Sequence, residues 1–120
     1  MHLNLSEVLD LNNEDFRLFF DKLVEQELLL IESKGIEYSG EGDRFRNFKR
    51  IGNELDISPE KICFVYLRKH IDGILDYLNK LDSGEEIVQS EPIIGRIQDA
   101  RNYLALLAAC ISEQNNCVDK

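Results

Sequence analysis

The residues best able to do chemistry sit where apolar residues would be expected. Arg96, Asp99, Asn102 and Tyr103 recur at three- and four-residue intervals beside Ala100 and Leu106, which places them on one face of a helix. A carboxylate beside a core stripe is costly unless it meets a cation, a metal or hydrogen-bond donors. Two accounts fit Asp99. Either it pairs with Arg96 or a lysine of the preceding helix while Asn102 caps a loop, or the group faces a bound polar molecule. The preceding helical segment offers Lys69 and His70, with His70 in register with Tyr66 and Ile74 on the apolar side. A histidine so placed reads first as a hydrogen-bonded core residue and second as a ligand. Asp72 and Asp76 are four apart and could share a divalent cation, although a solvated acidic face is the plainer reading.

A third group surrounds a glycine-bearing stretch. Lys34, Tyr38, Arg44 and Asn47 flank Gly35, Gly40 and Gly42, and the segment leads into a helix start. Free backbone N–H groups and the helix dipole at such a junction suit a phosphate. The spacing matches neither the Walker A nor the dinucleotide-binding glycine pattern, and three glycines can simply turn the chain. The histidines are His2 and His70 alone, so no Ser/His/Asp or Cys/His nucleophile arrangement can be drawn.

Four helices must position these groups. Asn13, followed by Glu14 and Asp15, predicts the start of a first helix carrying Phe16, Phe19, Phe20, Leu23, Val24, Leu28, Leu30 and Ile31 and stopped by Gly35 after Lys34. Gly35–Asp43 reads as a loop. Asp43 is expected to cap a short second helix with Phe45, Phe48, Ile51 and Leu55 on one face. Ser58-Pro59 opens a third helix to about Leu81, with Ile62, Cys63, Tyr66, Leu67, His70, Ile74, Leu78 and Leu81 as its stripe. After a polar linker, Ser90, Glu91 and Pro92 open a fourth helix to about Glu113, with Ile93, Ile97, Ala100, Leu104, Leu107 and Ile111 toward the core. Its stretch Tyr103–Ile111 is apolar nearly all round, the mark of a central helix that can also contact another subunit. Residues 1–12 read as an N-terminal arm and 114–120 as a frayed tail of a single all-α domain, a compact bundle of about four helices, three long and one short, expected to be oligomeric.

Bulk properties remove several classes of function. The 120 residues are 43% hydrophobic and 31% charged, an ordinary globular balance. No apolar run approaches a membrane span, and the N-terminus lacks a secretory pattern. A net charge of −9 opposes general nucleic-acid binding. Lys34, Arg44, Arg46, Lys49 and Arg50 nevertheless bring five of the fourteen basic residues into one short stretch. Cys63, Cys110 and Cys117 have no zinc-like spacing and read as reduced thiols in a cytoplasmic protein.

The run Lys34-Gly35-Ile36-Glu37-Tyr38-Ser39, then Gly42-Asp43-Arg44 and Asn47-Phe48-Lys49-Arg50, resembles a family of small bacteriophage and prophage proteins of unassigned role. The likeness continues through Ser58-Pro59-Glu60, Lys69-His70 and Asp99-Ala100-Arg101-Asn102-Tyr103-Leu104, and covers about two-thirds of the chain. That family is similar to the nucleotide modification associated domain and, more distantly, to MazG-like all-α nucleoside triphosphate pyrophosphatases. The resemblance implies an oligomeric helical bundle that binds a nucleotide between helices. It implies ligand contacts at Lys34, Tyr38, Arg44, Asn47, Lys69, His70, Asp99 and Asn102, which are also the polar residues that the pattern itself finds hard to place.

Phe48 or Tyr38 would stack a base, and Tyr103 borders the set. The MazG-like magnesium site uses Glu-x-x-Glu and Glu-x-x-Asp pairs. Here the second pair becomes Asp99 with Asn102, and no Glu-x-x-Glu occurs on the first or third helix. Binding of a nucleotide or nucleotide-derived signal without turnover, with no cofactor, is therefore the first expectation, with sequestration as a counter-defence one purpose. A magnesium-dependent pyrophosphatase using Asp72, Asp76 and Asp99 is the second. An acidic protein-interaction module is the third.

Overall fold

A computed structural model describes residues 12–39, 45–88 and 92–119, with side chains for 12–33, 45–88 and 92–113. It is an all-α bundle of four helices: α1 (Asn13–Ser39), α2 (Arg46–Leu55), α3 (Pro59–Ser83) and α4 (Ile93–Asp119). Asn12, one residue before the expected cap, starts α1: its Oδ1 accepts from the Asp15 N–H at 2.9 Å. Gly35 does not end α1, which continues to Ser39. A helix-interior glycine costs only about 1 kcal/mol, which one more helical turn can offset, so the expected Gly35–Asp43 loop is shortened at its start. Asp43 lies outside the described residues; α2 comes after Phe45, with no side-chain cap.

The start of α3 is as expected, with the Ser58 side chain accepting from the Lys61 N–H ahead of Pro59. It ends at Gly84, whose φ of 73° suits glycine. The fourth helix runs six residues beyond Glu113, so the segment read as a tail is helical to Asp119. The α2–α3 turn is tight. Asp56 takes a left-handed φ of 56°, and the Ile57 carbonyl lies where a Cβ on Gly52 would be.

The arrangement of the long helices is fixed by their contacts. Antiparallel α3 and α4 meet where Cys63 donates to the Tyr103 carbonyl at 3.6 Å, His70 stacks on Tyr103 and Arg96 lies against Gly73. On the other side of α4, Gln98 donates to Gln26 at 3.1 Å and Arg101 to Glu27 at 2.6 Å. At 3.6 residues per turn, the α4 positions that touch α1 and those that touch α3 are centred roughly 170° apart. The helix expected to be central therefore is central, with α1 and α3 flanking it. The first and fourth helices run parallel. In the reverse sense, the chain between Ser39 and Phe45 could not reach α2, which sits at the far end of α4 through Lys49–Glu113 at 3.0 Å.

The core lies under α2, where Phe45, Phe48, Ile62, Cys63 and Cys110 pack with Tyr103 and Leu106. The apolar stripe of α1 is only partly used: Leu23 is buried, whereas Phe16 and Leu28 are 54% and 56% exposed. Leu78, Leu81, Leu104 and Ile111 of the expected core are likewise exposed. Periodicity finds an apolar face without saying whether anything covers it. Among the described residues no helix is long and apolar enough to cross a membrane.

Candidate functional site

One side of the α3–α4 pair gathers most of the polar residues singled out by the sequence. On α4, Asp99, Asn102 and Glu113 share a face, and the Lys49–Glu113 ion pair shows that this is the face α2 covers at one end. On α3, Tyr66 packs against Phe48 of α2, with ring centroids 5.7 Å apart. Lys69 and Gly73 succeed Tyr66 on the same face at helical spacing. The groove between α3 and α4 next to α2 is therefore bordered by Tyr66, Lys69, Arg96, Asp99 and Asn102.

Aromatic rings form its floor. Tyr66 and Tyr103 lie 6.2 Å apart, and His70 stacks on Tyr103 at 5.3 Å with 27° between the planes. His70 thus stands in the seam between helices, as its register predicts. Asn102 is buried, Asp99 half-buried and Lys69 exposed, so polarity increases from the floor outward. The close approach at Gly73 positions Arg96: a Cβ there would meet the Arg96 guanidinium. Glycine lets the arginine lie flat along α3, bringing its charge to the groove rather than to solvent.

No protein-family model matches this chain, and no curated protein or solved structure matches it.

Of the expected site residues, His70 stacks on Tyr103, and helical spacing puts Lys69, Asp99 and Asn102 on the α2 side of the same helix pair. Asn47 is half-buried on α2. Phe48 departs from expectation: it is a core residue packed on Tyr66 and supports the aromatic floor instead of offering a free ring. The side chains of Lys34, Tyr38 and Arg44 lie outside the described residues. Tyr66 and Arg96 join the site. Arg96 was legible from its spacing to Asp99, whereas Tyr66 reads from sequence only as a member of the core stripe.

The alternative acidic set is not assembled. Among the described residues no three His, Cys, Asp or Glu side chains converge to hold a metal. Asp76 pairs with Lys80 at 3.1 Å along its own helix, so Asp72, Asp76 and Asp99 do not form one ligand set. The thiols of Cys63 and Cys110 are buried beside each other beneath the groove. Burial, then the neighbouring Cys110, pushes the Cys63 thiol up to about 11. Burial, with Glu60 and Glu113 nearby, raises that of Cys110. Both remain protonated and poorly nucleophilic at neutral pH.

Proposed function

We propose that this protein binds a nucleotide or nucleotide-derived signal in the α3–α4 groove and holds it without hydrolysing it. The observation that carries the reading is the cluster of Tyr66, Tyr103 and His70 rings in the α3–α4 seam, with Lys69, Arg96, Asp99 and Asn102 spaced along the same side of the two helices. Lys69 and Arg96 would meet phosphate oxygens through charge-assisted hydrogen bonds. Asp99 and Asn102 would read the donors and acceptors of a base or sugar, and the tyrosines supply flat apolar surface. Lys34 and Tyr38, toward the end of α1, and Arg44, ahead of α2, would supply the remaining contacts. Binding without turnover is favoured because, among the described residues, the acids needed for a magnesium centre do not converge.

The resemblance to bacteriophage proteins supports a setting in the cytoplasm of a bacterial host, where holding a host signalling nucleotide would blunt a defence. Titration calorimetry with mono-, di- and cyclic nucleotides tests the reading. Saturable heat from at least one of them is expected, with affinity lowered about tenfold or more in Lys69→Ala. No heat from any member of the panel would remove the proposal. Pyrophosphate release from a triphosphate with magnesium would replace holding by hydrolysis.

A further inference from the structure

The end of the bundle away from α2 leaves apolar residues uncovered. The Gln26–Gln98 and Glu27–Arg101 bonds set α1 beside α4 so that Phe20 comes level with the first residues of α4, and Phe16 stands a turn beyond them. On the other flank, the antiparallel contact of Gly73 with Arg96 brings Leu78 to that level and Leu81 past it. Phe16 repeats Leu23, and Leu81 repeats Ile74, two turns away on the stripes that face α4. Both are nevertheless more than half exposed, because α4 begins only at Ile93. Phe20 and Leu78 beside them are exposed as well, and the Phe16 and Phe20 ring centroids lie 6.2 Å apart. Each flanking helix packs about 8–10 Å from α4, so α1 and α3 stand roughly 16–20 Å apart. Past the start of α4, the space between them is as wide as one further element of chain.

We infer that this gap is the docking site of the chain's own residues 1–11, which strap the first turns of α1 to the last turns of α3. The segment joins the structure at the right place. It meets Asn12, whose side chain caps α1 by accepting from the Asp15 N–H. At a helix start of this kind the residue before the cap, here Leu11, packs on the fourth helical residue, here Phe16, and this staple sets the angle at which the chain enters. The entering chain is thereby directed over the Phe16 side. Its composition suits an apolar seat: Met1, Leu3, Leu5, Val8, Leu9 and Leu11 are six of the eleven residues. Leu5, Val8 and Leu9 recur at helical spacing, with Glu7 and Asp10 opposite them. Eleven residues span about 16 Å as a helix and up to about 36 Å extended, which suffices to cross the gap. A tethered segment is present at an effective concentration on the order of millimolar. A second copy would instead bring a net charge of −9 against its like. None of the groove residues proposed to hold a nucleotide takes part, so the two readings fail separately.

The chain contains no tryptophan, so Leu5→Trp in the full chain supplies a single fluorescent reporter. Its emission should be blue-shifted, and acrylamide should quench it several-fold less than in urea, equally at all protein concentrations. Adding Leu78→Asp should return the quenching to the value in urea while circular dichroism remains helical. Phe16→Ser, added instead, should do the same and keeps the test decisive where Leu78→Asp folds poorly. Leu55→Asp, at an exposed position of α2 at the far end of the bundle, should leave the reporter protected. Quenching of Leu5→Trp as strong in buffer as in urea would overturn the inference. So would protection that neither Leu78→Asp nor Phe16→Ser removes. Protection lost on dilution, as sedimentation shows the mass falling from two chains to one, would overturn it in favour of a second copy.

Discussion

The two sides of the α3–α4 pair share a backbone and differ in almost everything else. The α2 side has a short helix packed over one end, a cluster of rings in the helix seam, and cations and amides spaced along it. The other side is a broad apolar layer of helices with few charges. Placement of a few residues makes the difference: Asp99 and Asn102 run along one line of α4, and Leu104 and Ile111 along another about half a turn away. One helix therefore carries a polar line and an apolar line on opposite sides.

Stability should divide along the same line. Ile62→Ala, beneath α2 in the core cluster, should cost about 2–5 kcal/mol in urea denaturation at any protein concentration. Leu75→Ala, at a half-exposed position on the opposite side, should cost less than about 1 kcal/mol. Equal losses would erase the distinction between a packed side and an exposed one.

The junction of α1 with α4 gives the next effect. Gln98→Ala leaves the buried Gln26 amide without the partner it has at 3.1 Å and should cost about 1–3 kcal/mol. Replacing both glutamines by leucine should recover much of that loss; failure to recover would show that the pair does more than satisfy itself.

Alkaline titration probes the core under the groove. Folding raises the Cys63 thiol pKa from 9.0 to about 11, so the folded state holds its proton longer than the unfolded chain. Stability is unaffected below about pH 9 and should fall as pH rises from about 9 toward 11, with Cys110 adding in the same direction. Native-state alkylation of either thiol should be slow at neutral pH, and Cys63→Ala should flatten the alkaline slope. The smallest effect belongs to Gly73→Ala. The new methyl would displace the flexible end of Arg96, not backbone, so nucleotide affinity should fall with little change in melting temperature. An unchanged affinity would take Arg96 out of the site.

Ser58-Pro59 marks the start of α3 in the sequence because capping and proline geometry are local, and the α4 spacing puts Arg96, Asp99 and Asn102 on one face for the same reason. Gly35 is deceptive because a glycine stops a helix only where the chain turns, and here the next four residues stay helical. Phe48 looks available for stacking because sequence spacing cannot show that α2 lies down on Tyr66. The exposed stripes on α1 and α3 have the same periodicity as buried ones, since a helix carries an apolar face whether its cover comes from its own chain or another.

The polar bonds that tie α1 to α4, Gln26 with Gln98 and Glu27 with Arg101, bear on the order in which the molecule opens. Apolar packing joins α2, α3 and α4 into one cooperative unit, while α1 is held more by directional bonds than by a shared core. Such a helix can detach as its own unit below the free energy of global unfolding. Amide hydrogens of α1 should therefore exchange before those of α3 and α4, and the first opening of the protein is the departure of α1 from an otherwise intact three-helix body.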